Sequence, residues 1–395
     1  MNSIFNAREL TALILTEMKS PFHLLLLAAL AAAFIPFGGC NSIDKQNSKD
    51  HPILSRLHLS PGFEIEIFAE VEDARSLASS PSGTIYVGTR HAGKVYALAD
   101  KDKDHRIDDK YVIASGLDMP NGVAFKDGDL YVAEVSRIIV FRNIEENLSN
   151  PPEPEIIYDG YPDDRAHGWK YIAFGPDGKL YVPVGAPCNV CESDSIYATI
   201  TRIDLRENAP EIIHRGVRNS VGMDWDPLFQ DFWFTDNGRD NLGDNLPADE
   251  LNWTPVDGKH FGFPYCHQGD LPDPEFGKEH DCSEFSKPIK KLGPHVAALG
   301  IEFYDKTVFP ASYHGHLFLC EHGSWNRSTP IGYRVSLLRT GKGEVISYEP
   351  FIKGWLQEEE VLGRPVDLEV LDDGSMLISD DHAGLIYRVY YVGVI

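Results

Sequence analysis

Phe174-Gly-Pro-Asp-Gly-Lys-Leu-Tyr-Val182 decides the fold. An apolar approach, a tight Gly/Asp turn and an aromatic-bearing alternating run are the pattern of two antiparallel strands joined by a hairpin. The same sentence recurs at residues 80–88, 125–134, 224–234, 313–319 and 371–378. Successive turns lie roughly 45 to 85 residues apart, the spacing of propeller blades with insertions. One hairpin cannot bury its own apolar face, but sheets stacked radially around an axis can. Six units predict an all-β chain folded as a six-bladed β-propeller. Its loops then gather around one end of a central channel, where a ligand meets residues from every blade.

The N-terminus reads differently. Met18-Lys-Ser-Pro-Phe-His is a short polar lead, residues 24–37 are apolar, and Gly38-Gly39-Cys40 follows. This is the pattern of a secretory signal peptide over residues 1–39, with Met18 as an alternative start. Cys40 after two glycines resembles a bacterial lipobox, so the expectation is an exported lipoprotein. It would be held at the membrane by a lipid on Cys40, with residues 40–54 as tether and 55–395 as the propeller. An ordinary secretory signal cleaved nearby is the other reading.

Export permits disulfides. Cys188-Asn-Val-Cys191 is expected to close on itself, and Cys266 to pair with Cys282 across a Gly/Pro/Asp loop. No second CxxC stands at zinc-ribbon spacing. Cys320 is left over, inside an apolar strand. The formal net charge of −24 argues against nucleic acid as a partner, because phosphate would be repelled.

Asp100, Asp102, Asp104 and Asp108 stand at positions 1, 3, 5 and 9 of one loop, a spacing that wraps hard oxygens around Ca²⁺. His105 and Tyr111 replace the glycine and the closing glutamate of an EF-hand, so a solvated turn is the alternative. Four constellations fall at the inter-blade loops. His167, in Ala166-His-Gly-Trp169, is a candidate general base. Arg218-Asn219, bracketed by Gly216 and Gly222, suits a planar polyanion. The segment from Asp236 to Asn252, with Gly238, Arg239, Asp249 and Glu250, can offer carbonyl and carboxylate oxygens to a cation. Glu321-His322-Gly-Ser-Trp325-Asn326-Arg327, with Arg364 and Asp367, adds cations and an aromatic face.

The run 167–182, together with Arg218-Asn219, Asn237-Gly238-Arg239, Asp249-Glu250-Leu-Asn252 and Gly262-Phe-Pro-Tyr265, resembles the glucose/sorbosone dehydrogenase family, nearest its sorbosone branch. These are exported propeller enzymes that use pyrroloquinoline quinone (PQQ). The resemblance implies PQQ over the channel mouth, a Ca²⁺ that polarises the quinone, and hydride transfer from a sugar or aldehyde. An external acceptor would then reoxidise the cofactor. By the same resemblance His167 is the base, and Arg218, Asn219, His322 and Arg364 touch the cofactor; Arg327, a further cation of the same rim, is expected to join them. The carbonyls at Gly238 and Arg239 hold the calcium. Ala166 stands where glucose-oxidising members carry an acidic residue. A metal-dependent sugar lactonase, or a non-catalytic propeller lipoprotein binding glycan or protein, are the competing readings.

Overall fold

The computed structural model describes residues 49–207 and 209–393. The expected signal peptide, Cys40 and residues 40–48 of the tether lie outside the described residues. Six sheets of antiparallel strands follow one another along the chain. Blade 1 is Ala74–Ser79, Ile85–Thr89, Lys94–Ala99 and Asp109–Ser115. Blade 2 is Gly122–Lys126, Asp129–Ala133, Ile138–Phe141 and Glu155–Tyr158. Blade 3 is Ala173–Phe174, Leu180–Val184, Thr199–Asp204 and Ala209–Arg215. Blade 4 is Met223–Trp225, Phe232–Asp236, Ala248–Thr254 and Lys290–Pro294. Blade 5 is Ala298–Phe303, Leu317–Glu321, Arg334–Gly341 and Glu344–Lys353. Blade 6 is Pro365–Val370, Met376–Asp380 and Leu385–Tyr391, completed by Phe63–Glu70 from the start of the domain. Among the described residues the only helices are 3-10 turns of three to five residues.

All six quoted stretches turn between the first and second strands of a blade. In blade 1 the turn closes by Gly83 N–H to Ser80 O at 2.9 Å, with Gly83 at φ +95°. Glycine reaches that region without the clash a Cβ would bring. Phe63–Glu70 alternates apolar and acidic residues over its first half, yet Glu66 is buried. Arg388, directly opposite it in register, donates to its carboxylate at 3.0 Å. This pairing joins the first strand of the domain to the last and closes the ring.

The innermost strands face the channel with free edges, and such edge N–H groups need partners. In blades 4, 5 and 6 a carboxylate supplies one to the next blade. Asp224 accepts from Phe303 N at 2.6 Å, Glu302 from Val370 N at 2.9 Å and Glu369 from Ser79 N at 2.9 Å. By strand register the corresponding residues of blades 1 to 3 are Ala78, Ala124 and Ala173. Burial pushes the Asp224 carboxyl up to about 7. Burial, then mutual repulsion with Glu369, raises Glu302 as well.

Both expected disulfides, Cys188–Cys191 and Cys266–Cys282, are formed, and Cys320 is free and buried.

Candidate functional site

In an up-and-down blade the connections after the second and fourth strands emerge at one end, and those after the first and third at the other. His167, Arg218, Asn219, Gly238, Arg239, His322, Arg327 and Arg364 all fall on the first set. One rim therefore gathers every candidate cofactor residue. Asp100, Asp102, Asp104 and Asp108 follow the third strand of blade 1, so they stand at the opposite end. His105 in that loop reaches Asp373, in a first-strand turn of blade 6, at 3.3 Å. The carboxylates of Asp100, Asp102 and Asp108 do converge, with ligand atoms within 4.8 Å of one another. They belong to a separate place from the rim.

His167 sits at φ +51° in the turn leading into blade 3. Its neighbour Gly185 is required: a Cβ there would lie 2.5 Å from His167 Cβ. Buried Lys170 donates to Gly168 O at 3.0 Å and to Val135 O, fixing the turn from below. His167 Nδ1 lies 2.8 Å from Ala186 O. A carbonyl only accepts, so Nδ1 carries the proton and Nε2 is left as an acceptor. Burial, with Arg218 and Arg90 nearby, pushes its pKa down to about 4. The imidazole is therefore neutral near pH 7, as a proton acceptor must be.

Arg218 is 4% exposed and already engaged. Nε donates to Asn189 O at 2.8 Å, Nη1 to Asn237 O at 3.1 Å, and Nη2 to Asn189 Oδ1 at 3.0 Å and Asp240 Oδ2 at 3.2 Å. Four of five guanidinium donors are used, which leaves at most one for a ligand. The free fork expected from sequence is thus a buried tie between loops. Asn219 is different: it is 8% exposed, and its carboxamide has no hydrogen-bond partner among the described residues. Gly238 N–H donates to Asp249 Oδ1 at 2.8 Å, and Arg239 turns its side chain away to Asp273. What these two residues leave available is their carbonyl oxygens. The carboxylates of Asp236 and Asp249, expected to offer oxygens to a cation, instead clamp loop backbone.

His322 and Asp381 come together from blades 5 and 6, with Nε2 2.8 Å from Oδ1. Arg75 of blade 1 holds the other oxygen of Asp381 at 2.8 Å and Asn121 Oδ1 at 2.8 Å. Asp381 orients His322 as a carboxylate orients a catalytic imidazole. Burial nevertheless lowers the His322 pKa to about 4. Arg364 donates to the carbonyls of His322 and Gly323 at 3.2 and 2.6 Å and has no carboxylate partner among the described residues. Arg327 departs from expectation: its donors go to the carbonyls of Thr329, Asp244 and Pro294, so it ties loops together.

The model of the TrAA12-like family matches residues 57–391. The chain belongs to the TrAA12-like family. An uncharacterized protein of Borreliella burgdorferi is 36% identical over 359 residues, covering 86% of this chain and 92% of its own. Among solved structures, the TrAA12-like chain is similar to the calcium structure of the Trichoderma reesei carbohydrate-active enzyme of family AA12. That match has TM-score 0.76 and 20% identity, over 85% of this chain and 97% of that one. The holo form of the pyranose dehydrogenase PQQ domain from Coprinopsis cinerea matches with TM-score 0.72 and 16% identity, over 85% and 97%. The apo soluble aldose sugar dehydrogenase of Escherichia coli matches with TM-score 0.64 and 16% identity, over 83% and 99%. The six-bladed fold and the sugar-dehydrogenase-like family read from sequence are both borne out.

Two rim residues of this TrAA12-like chain escaped the sequence reading. Arg90 lies with its guanidinium 3.6 Å from the Trp169 ring centroid, and its Nε is buried without a partner. Asp381 supplies the acidic partner to an imidazole that Ala166 cannot. An Arg after Gly88-Thr89 signals nothing by itself, because blade 1 meets Trp169 only after the ring forms.

Proposed function

We propose that this protein is a PQQ- and Ca²⁺-dependent oxidoreductase that oxidises an aldose or sugar aldehyde to lactone or acid. The reading rests on family membership together with one observation: a neutral imidazole with its Nε2 left as an acceptor stands on the same rim as the unpaired Asn219 carboxamide and the Arg90 guanidinium. The residues present fit a planar polyanionic quinone. Among the described residues the Arg90 and Arg364 guanidiniums form no ion pair with a carboxylate, and the Asn219 carboxamide is unpaired. They would hold its carboxylates and carbonyls, and the Gly238 and Arg239 carbonyls would hold the cation. The quinone, when bound, supplies the hydride acceptor, and Ca²⁺ the Lewis acid.

The chain's own residues do the rest. His167 Nε2 takes the proton from the anomeric hydroxyl, and Ala186 O stabilises the imidazolium through Nδ1–H. Burial, helped by Arg218 and Arg90, keeps that imidazole neutral beforehand. His322, oriented by Asp381, is a second imidazole in reach of the same mouth, and we assign it to the cofactor. Exposed Trp325, 72% accessible on this rim, offers a face for a sugar ring. An external acceptor would remove the electrons. The apolar run before Gly38-Gly39-Cys40 and the two disulfides support export and a lipid anchor.

The test is dye reduction by purified protein with a panel of aldoses and aldehydes. Turnover that requires both PQQ and Ca²⁺ is expected. Lactone hydrolysis without quinone would replace this reading by the lactonase. Neither activity, with glycan retained on the protein, would favour a binding module.

A further inference from the structure

The loop from Gly185 to Ala198 has no strand of its own, yet its first residues touch three parts of the rim at once. Ala186 O takes the His167 Nδ1 proton, and Ala186 N–H donates to Arg218 O at 2.8 Å. Asn189 O accepts from Arg218 Nε at 2.8 Å, and its Oδ1 accepts from Arg218 Nη2 at 3.0 Å. The same carboxamide pairs with the backbone of Asp240 on both sides. Oδ1 accepts from Asp240 N at 2.8 Å and Nδ2 donates to Asp240 O at 3.1 Å. Asn189 lies between Cys188 and Cys191, which are bonded to each other. Cys188 and Val190 pack on Ala186, Ala198 and Phe263.

We infer that the Cys188–Cys191 loop is a positioning element and Asn189 a positioning residue. Asn189 sets the Arg218 guanidinium and holds the Gly238–Asp240 segment in register with it, while the disulfide holds Asn189. A short loop without sheet hydrogen bonds would otherwise sample many conformations, and closing it covalently removes most of them. The carboxamide acts as an extra strand residue for Asp240, so losing it frees the backbone just after the two carbonyls assigned to calcium. The consequence for ligand binding rests on the proposed PQQ and Ca²⁺ reading; the consequence for the loop does not.

Three variants test this: Asn189→Ala, Asn189→Asp and Cys188→Ser/Cys191→Ser. The first readout is amide hydrogen exchange at Asp240, whose N–H is bonded to Asn189 Oδ1. Asn189→Ala and the double serine variant should each speed it about tenfold or more, the loss of one hydrogen bond. Asn189→Asp keeps the acceptor for Asp240 N–H but sets an oxygen in place of the donor to Asp240 O, so it should restore only part of the protection. Exchange in the inner strands should not change. The second readout is affinity for PQQ with Ca²⁺, followed by absorbance. It should weaken about tenfold in the two disruptive variants and less in Asn189→Asp. Unchanged Asp240 exchange in both disruptive variants overturns the inference. If the wild-type protein binds neither PQQ nor Ca²⁺, the functional reading fails, and the exchange data still decide the role of the loop.

Discussion

Asp236 accepts the backbone N–H groups of Arg218 at 2.8 Å and Asn219 at 2.6 Å, one on each carboxylate oxygen. Asp236 ends the second strand of blade 4 and stands opposite Glu250 on the third. Burial raises both acids, and repulsion by Asp236 adds to the rise at Glu250. A single carboxylate thus aims the only unpaired carboxamide on this loop. Asp236→Asn leaves one oxygen for two donors, so one N–H loses its partner at roughly 1–3 kcal/mol. Affinity for PQQ should fall about tenfold or more, and equilibrium titration of the variant checks this.

His167 and His322 should separate by kinetics. His167→Ala removes the proposed base but none of the groups assigned to the cofactor, so PQQ binding should persist and kcat fall by roughly 10²–10⁴-fold. His322→Ala leaves Asp381 buried with only Arg75 and should weaken PQQ binding. Titration and single-turnover rates on both variants decide it. Full activity of His167→Ala would move the base to His322.

The His167 pKa near 4 makes a pH prediction. Folding lowers this pKa from its ordinary value of 6.5, so the folded state resists protonation. Its contribution to stability is present above pH 6.5 and is lost as pH falls towards 4. The ring resonances of His167 in the apoprotein should stay those of the neutral form down to about pH 5, as NMR would record. A midpoint near 6.5 would show a ring far more solvated than Ala186 and Trp169 leave it.

Asp224 makes the opposite prediction. Its folded pKa is raised from 3.8 to about 7, so the folded state binds a proton that the unfolded chain has released. Stability is lost as pH rises from about 4 to 7. Asp224→Asn removes the charge and keeps an acceptor for Phe303 N–H, but gives up the second oxygen, which accepts from Trp225 N–H at 2.7 Å. Relative to wild type, its Tm should therefore be several degrees higher at pH 8 than at pH 4 in thermal scans, whatever the constant cost of the lost bond.

The Arg90 side chain makes no hydrogen bond among the described residues, only its stacking on Trp169. Arg90→Ala should therefore leave Tm within a few degrees of wild type while lowering PQQ affinity about tenfold, most clearly at low salt. A large fall in Tm with intact binding would make Arg90 a structural residue instead.

The fold was legible because each blade repeats one local pattern: a Gly/Asp turn between two alternating strands needs no distant residue to be recognised. The disulfides were legible from spacing. The rim was legible only where function sits in contiguous runs, as at His167-Gly168-Trp169 and Arg218-Asn219. His322 and Asp381 are 59 residues apart, and Arg75 and Asp381 are 306 apart. Such pairs exist only once the ring has closed through Glu66 and Arg388. Arg218 and Arg327 illustrate the converse: residue type suggested ligand contacts, but neighbouring carbonyls take most of their donors. Asp236 and Asp249 looked like cation ligands, and backbone N–H groups claim them because the loops around blade 4 leave those groups without sheet partners.

The measurement that bears most directly on the proposed function is a titration of purified apoprotein with PQQ and Ca²⁺, followed by the quinone absorbance. Saturable binding that requires Ca²⁺ is expected, and it should persist in His167→Ala while sugar-dependent reduction of the bound quinone disappears. Absence of binding at micromolar PQQ in the presence of Ca²⁺ would contradict it.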